Sequence, residues 1–177
     1  MSLKLDTTHS SLEFSVRHMG LATVKGRFGK FDVSAEVNDR GEPVAARVTI
    51  DASSIDTGVA DRDAHLRSPD FFDVATYPEI VFEATSFRRE GDEYVVEGQL
   101  TMHGVTQPVT LRGEINGPVK DPWGNDRFAA DLQGKVARTA YGLKWNQVLE
   151  AGSLLVGEEV KLHAVVELVK VGEPVPA

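Results

Sequence analysis

The chain has 177 residues, 41% of them hydrophobic, a formal net charge of −8 and no cysteine. That length and composition suit one domain with a packed core. The negative charge argues against nucleic acid and anionic lipid surfaces as partners, and the absence of cysteine excludes disulfides, thiolate metal sites and thiol nucleophiles.

Alternation with a period of two dominates, which is the pattern of half-buried strands. Leu12, Phe14, Val16 and His18 share one face, and Glu13, Ser15 and Arg17 the other. Val24, Gly26 and Phe28 continue the pattern; it slips at Gly29-Lys30 and resumes with Phe31, Val33, Ala35 and Val37. A slip beside glycine within a long strand predicts a bulge that bends the sheet. Asp39 to Pro43 is a turn, and Val48, Ile50 and Ala52 make a third strand. Next comes the one long interruption, from Ala52 to Tyr77, with a two-turn helix predicted over Asp61–Ser68 and ended by Pro69. Antiparallel strands are usually joined by a few residues, so a connection this long reads as a lid over the mouth of a closed sheet.

Tyr77-Pro78 opens the next strand, with Ile80, Phe82 and Ala84 inward. Glu90-Gly-Asp92 is a hairpin turn; Tyr94, Val96, Gly98, Leu100 and Met102 form the following inward set. His103-Gly104 reverses the chain into Val109, Leu111, Gly113 and Ile115. Gly117-Pro118 together with Asp121 to Asn125 reads as one wide turn. Phe128, Ala130, Leu132, Gly134 and Val136 follow; Thr139 to Gly152 is irregular; Val160, Leu162, Ala164, Val166 and Leu168 close the set. The fold class is therefore all-β: about eight antiparallel strands, mostly up-and-down, with a short helical lid between strands 3 and 4. Such a sheet removes its edges by curling until the first strand meets the last. Residues 1–171 form this single domain and 172–177 are expected to be a flexible tail. An eight-stranded barrel holds side chains alone or one small ligand. The glycines and alanines at inward positions either leave a hollow or taper a filled barrel.

Certain motifs resemble those of the YceI-like family of lipid-binding proteins. Phe14-x-Val16-x-His18-Met19 and Val24-x-Gly26-x-Phe28-x-x-Phe31 match at the N-terminal end. The most specific segment comprises Ser54-Ile-Asp-Thr57, Arg62-Asp63, His65-Leu66, Ser68, Asp70-Phe-Phe-Asp73 and Tyr77-Pro78. Gly98, Leu100-Thr101, Gly104-Val-Thr106, Pro108-Val109, Asp121-Pro-Trp-Gly124 and Tyr141-Gly-Leu-x-Trp-Asn146 extend the likeness over almost the whole chain. The resemblance implies an extended lipocalin-like barrel enclosing a long isoprenoid-type lipid, such as a prenyl quinone or polyprenol. It implies binding without chemistry, as carrier, store or sensor, and no required cofactor beyond the lipid itself.

An isoprenoid tail offers almost nothing to hydrogen-bond, so its affinity must come from apolar surface removed from water. At roughly 0.8 kcal/mol per buried CH2-sized group, a five-carbon unit contributes about 3 kcal/mol at most. Two or three units then offset an association cost of roughly 4–15 kcal/mol. The expected tunnel wall is Phe14, Val16, Phe28, Phe31, Ile50, Leu66, Phe71, Phe82, Leu100, Met102, Leu111, Phe128, Leu132, Trp145 and Leu162. The expected polar contacts near the mouth are His18, Arg62, His65, Arg138 and Asn146. Each has a structural alternative: His18 as a hydrogen-bonded core histidine, Arg62 with Asp63 as an anchor of the lid, Phe71-Phe72 as the lid's own small core, and Trp145 as a packing anchor.

The rival readings are a small hydrolase using loop carboxylates (Asp56, Asp61, Asp63, Asp70, Asp73) and a haem or metal protein using histidines. No nucleophile elbow, phosphate loop or His-Glu-x-x-His motif is present, and His9, His18, His65, His103 and His163 lack ligand spacing, so no metal site is assigned. Val165, on the outer face of the last strand, is the one apolar hint of a homodimer surface. No apolar run approaches the roughly 18 residues of a membrane span, so stable membrane insertion is not expected. The N-terminal residues lack a signal-peptide core. The reading is cytoplasmic as written, and periplasmic or secreted if a leader preceding these residues has been removed.

Overall fold

The computed structural model describes residues 1–147 and 155–170. The expected tail at 172–177 and part of the irregular segment before the last strand lie outside them. The strands are β1 (Ser2–His18), β2 (Ala22–Phe28), β3 (Phe31–Val37), β4 (Pro43–Asp51), β5 (Ile55–Asp56), β6 (Glu79–Glu90), β7 (Glu93–Met102), β8 (Val105–Lys120), β9 (Asp126–Ala137) and β10 (Val156–Lys170). One helix, α1 (Ala60–Arg67), lies between β5 and β6.

Ten segments make eight staves. One edge of β1 pairs along its length with β10; the other is shared by β3 at Ser2–Lys4 and β2 at Leu12–His18. β2 and β3 are thus one long strand broken at Gly29-Lys30, as the slip in alternation predicts. β4 and β5 are likewise one interrupted strand, β4 on β3 and β5 on β2. The remaining neighbours pair in sequence order, β4–β6–β7–β8–β9–β10, and β10 returns to β1. All ladders are antiparallel and the barrel is closed. β1, β8 and β10 have 17, 16 and 15 residues, well beyond common strand lengths, so the barrel is tall.

Two expectations change. Gly117-Pro118 does not turn the chain: β8 runs through to Lys120, with the register slipping between Asn116 and Val119. An irregularity in the ladder is where a proline, lacking a backbone donor, can sit. Only Asp121–Asn125 makes the turn, tied by Asp121 Oδ1, which accepts from the backbone N–H of Trp123 and Asn125. The second change concerns the inward glycines. A side chain at Gly26 would collide with the ring of Phe14, at Gly98 with the ring of Phe82, and at Gly134 with Leu111. These glycines make room for a neighbouring strand's large side chain rather than for a void.

Core density differs between the two ends. At the end holding the turns 38–42, 91–92 and 121–125, Leu3, Leu5, Val37, Phe128, Val166 and Leu168 are buried in one cluster. Beside them Tyr94, Val96 and Leu132 pack with Phe87 and Ile115. On the outside of this end, Arg127 clamps three elements. It donates to Asp6 of β1 (2.8 Å), Glu167 of β10 (3.2 Å) and Asp121 of the β8–β9 turn (2.8 Å). Asp6, His9 and Glu167 offer the one converging set of possible metal ligands among the described residues. Arg127 occupies two of its three members.

Burial opposes ionisation of Asp121, yet Arg127 and the turn N–H groups outweigh it and hold the carboxyl at about 2. Hydrogen bonds from Thr8, His9 and Arg127 hold Asp6 lower still. Both groups have folded values below the unfolded value of about 3.9, so their stabilisation is complete above that pH and drains away as the pH falls through the folded values. Arg127→Met is therefore expected to lower the Tm at neutral pH and to move the acid-unfolding transition to higher pH, as followed by circular dichroism. An unshifted transition would mean that the clamp is idle.

Candidate functional site

The opposite end is hollow. A chamber of about 190 Å³ lies inside it. Its wall comes from most of the barrel: Leu12, Phe14 and Val16 of β1, Phe28 of β2, Val48 and Ile50 of β4, Ile80 and Phe82 of β6, Leu100 and Met102 of β7, Val109 and Leu111 of β8, Leu132 and Val136 of β9, and Val156, Val160, Leu162 and Ala164 of β10. Strand alternation puts these side chains on one face. On β10 the change from hollow to solid is visible within one strand: Val160, Leu162 and Ala164 are half-buried and line the chamber, whereas Val166 and Leu168 are buried and packed. Leu66, Phe71, Phe72 and Leu143 close the top.

The lid is held from beneath by polar bonds. Asp63, buried on α1, accepts from the backbone N–H of Thr57 (2.9 Å) and from its hydroxyl (2.5 Å). Arg62 donates from Nε to Thr57 Oγ1 (2.7 Å) and from Nη2 to Thr57 O (2.8 Å). Arg67 donates to the carbonyls of Ser53 and Ile55 at 2.9 and 3.1 Å. Above, His65 stacks edge-on against Phe71 and Trp145 at centroid distances of 5.1 and 4.8 Å. Its Nε2 meets Asp70 at 2.9 Å. Beside them the His103-Gly104 hairpin, with φ of 55° and 74°, presents His103 to Tyr77 (4.8 Å between rings) and to the carbonyl of Tyr141 (2.9 Å). Positive φ at both turn positions matches the strand twist.

Among the residues expected to form the tunnel, Phe14, Val16, Phe28, Ile50, Leu66, Phe71, Phe82, Leu100, Met102, Leu111, Leu132 and Leu162 line this chamber. Phe31 is half-buried and packs on the core without reaching the chamber. Phe128 is buried at the solid end, under the Gly117 backbone. Trp145 is in the aromatic cluster of the lid.

The expected polar residues separate more sharply. His18 is exposed at the rim, since β1 outruns the chamber there. Arg62 is committed to Thr57 and His65 to Asp70. Asn146 ties the segment before β10, donating to Val156 O (2.8 Å) and accepting from Val156 N–H (3.0 Å). Arg138 alone of the five lines the chamber. It begins the 3-10 turn Arg138–Tyr141, is 4% exposed, and donates to four backbone carbonyls: Gly157 (2.8 Å), Leu143 (2.7 Å), Trp145 (2.9 Å) and Val156 (3.3 Å). Desolvation lowers its pKa, partly offset by Glu158. Tyr141 Oη, on the same turn, is buried with no partner among the described residues, and burial pushes its pKa up.

Residues that sequence reading did not assign to the wall include Val109, Val136, Val156 and Val160. All but Val156 were legible as inward by alternation; nothing in the sequence says which inward residues face empty space. The lid carboxylates do not converge on the chamber: none of Asp56, Asp61, Asp63, Asp70 and Asp73 lines it.

A YceI-like domain model matches residues 3–168. The chain belongs to the YceI-like family. It is 38% identical over 138 residues to Protein YceI of Escherichia coli O157:H7, covering 77% of this chain and 72% of that protein. The YceI-like barrel seen here superposes on the crystal structure of Burkholderia cenocepacia BcnA with a TM-score of 0.79, at 21% identity, over 92% of this chain and 98% of that one. It also matches a polyisoprenoid binding domain from Saccharophagus degradans, implicated in plant cell wall breakdown, with a TM-score of 0.65 at 20% identity over 94% and 97%. These two likenesses show the fold.

Asp63→Ala leaves the N–H and hydroxyl of Thr57 without their charged acceptor, at a cost of about 1–3 kcal/mol. Hydrogen exchange is expected to speed up over residues 52–78 and to stay unchanged in β7 to β9. Uniform acceleration throughout would show that the lid and barrel unfold as one unit.

Proposed function

We propose that this YceI-like barrel binds the apolar chain of an isoprenoid-type lipid in the chamber and performs no chemistry on it. The chamber itself carries the reading. An apolar hollow of about 190 Å³, were it sealed and left unfilled, would cost up to about 4–5 kcal/mol at the usual penalty per unit volume. That is a large share of the roughly 5–15 kcal/mol by which domains are stable. A hollow so costly, lined by Leu, Ile, Val, Met and Phe, makes sense where a ligand fills it. The polyisoprenoid-binding description of the Saccharophagus degradans domain supports the ligand class, and none of the lid carboxylates Asp56, Asp61, Asp63, Asp70 and Asp73 lines the chamber, which fits binding over catalysis.

The volume of the chamber sets a length. Engineered apolar cavities of about 150 Å³ take up benzene, so by proportion this one shelters about seven or eight carbon atoms. At about 0.8 kcal/mol each they contribute roughly 6 kcal/mol, near the lower end of the association cost. A long tail therefore needs more room. Phe71 and Phe72 belong to the chamber wall and to the lid, so displacing them opens the hollow where a longer chain would emerge. In this reading the lid segment adapts to chain length while the solid end keeps the barrel intact. No helix among the described residues is long and apolar enough to cross a membrane.

Native mass spectrometry of protein purified without detergent should reveal a co-purified lipid, and adding a prenyl quinone should raise the Tm. Val48→Trp and Leu162→Trp, both within the wall, are expected to lower uptake at least tenfold with the β-sheet spectrum intact. Absence of any bound lipid, together with no thermal shift on addition, would refute the reading.

A further inference from the structure

The β1–β2 hairpin rises past the chamber rim with an apolar tip. Its turn is Met19-Gly20, with φ of 56° and 70°, and Leu21 N–H donates to His18 O at 3.1 Å. Turns of this kind favour glycine, asparagine or aspartate, because a larger side chain at positive φ crowds the backbone. Here methionine takes the position and Leu21 follows; they are 41% and 80% exposed. Every residue from Arg17 to Thr23 is exposed. β5 reaches β2 only at Arg27 and Phe28, so from Ala22 to Gly26 that edge of β2 has no strand beside it among the described residues. The hairpin is thus a two-stranded finger whose turn is strained and whose apolar tip meets water.

Charge sets this tip apart. Between Glu13 and Asp32 the sequence holds Arg17, Lys25, Arg27 and Lys30 and no carboxylate. Arg17 Nη2 donates to Gly20 O at 3.2 Å, which keeps the guanidinium beside the tip. Behind it, on the outer face, Ser15 lies between Lys25 and Lys161 in the ladder, within a groove of about 650 Å³. Glu13 and Asp56 also line that groove, and Glu158 and Glu159 of β10 are exposed nearby; Asp56 is 3.5 Å from Arg27 and Glu159 is 3.8 Å from Lys135. The solid end exposes Trp123, Val119 and Val44 as well. Its turns, however, carry Asp39, Glu42, Asp92 and Asp121 against the single cation Arg40.

We infer that the β1–β2 hairpin docks the barrel on a bilayer containing anionic phospholipid, with Met19 and Leu21 entering the interface and Arg17, Lys25 and Lys161 meeting the phosphates. The inference goes beyond the lipid reading of the chamber and rests on the hairpin's own side chains. Apolar residues with cations close behind them are what an interfacial element needs. The depths agree. Such elements seat about 5–10 Å into the head-group boundary. Lys25 stands about 13 Å behind Leu21 along the strand, at roughly 3.3 Å per residue, and its long side chain carries the ammonium part of the way back. A protein partner would need a wider apolar face than two side chains supply. The net charge of −8 opposes general adsorption to anionic surfaces and so selects the orientation. Charges more than about 8 Å away are screened at physiological ionic strength, so the tip answers to its own cations. The lid exposes Asp61 and Asp70, which keep it off the phosphates while the hairpin holds the mouth near the membrane.

The test is flotation of the intact protein with phosphatidylcholine vesicles, with and without phosphatidylglycerol, beside a separate titration with a prenyl quinone in the absence of vesicles. The unmodified protein should float with the anionic vesicles and more weakly with the neutral ones. Met19→Asn combined with Leu21→Ser should lower vesicle binding about tenfold, with the quinone affinity kept and the Tm equal or higher, since asparagine suits the turn. Arg17→Gln and Lys25→Gln should each weaken binding to the anionic vesicles about fivefold, an effect that added salt mimics. Trp123→Ser, at the far end, should change nothing. No flotation of the unmodified protein with either vesicle overturns the inference, as does full binding by the Met19→Asn, Leu21→Ser variant or a loss confined to Trp123→Ser. Vesicle binding that depends on the hairpin, in a protein that takes up no quinone, would support docking and refute the chamber reading.

Discussion

The pairing of β1 with β10 is the constraint from which the rest follows. Once the first strand bonds to the last, the sheet has an inside and an outside, and alternation assigns each side chain to one of them. Closure also satisfies backbone groups that a flat sheet would leave bare at its edges. The interior then has a fixed diameter, and the question becomes whether side chains fill it. At the end clamped by Arg127 they do; beneath α1 they do not.

The difference between the ends lies in where large side chains go. Phe14 lies over Gly26 and Phe82 over Gly98, so these rings are drawn against the wall. A ring spread along the wall covers a strand without crossing the centre. Paired aromatic and glycine positions are a familiar way to pack curved sheets. The lid completes the enclosure with a different chemistry. Its apolar residues face the chamber, but its position is set by polar bonds from Asp63, Arg62 and Arg67 to the backbone and hydroxyl groups beneath. Polar anchors at the base and aromatic contacts at the top give a lid that can shift its rings without losing its footing.

Arg138 belongs to both the scaffold and the site. Its carbonyl bonds gather Leu143, Trp145, Val156 and Gly157, which brings the irregular segment into the barrel rim. A lysine could not span those four acceptors, because it lacks the planar fork.

Alternation along the chain was enough to determine eight antiparallel staves, the break at Gly29-Lys30 and the long connection with its helix, because strand periodicity and turn chemistry are local properties. It also marked Leu12, Phe14, Ile50, Leu100 and Leu162 as inward. It could not separate Phe128, packed at the solid end, from Phe82, which lines the chamber, since both alternate alike. Nor could it show that His18 overshoots the rim, that Arg62 spends its donors on Thr57, or that Arg138 faces the chamber. Those outcomes depend on how far each strand extends around a closed barrel and on which partners arrive from distant segments. Periodicity decides the face of a strand; only the three-dimensional meeting of strands, lid and turn decides what lies opposite that face.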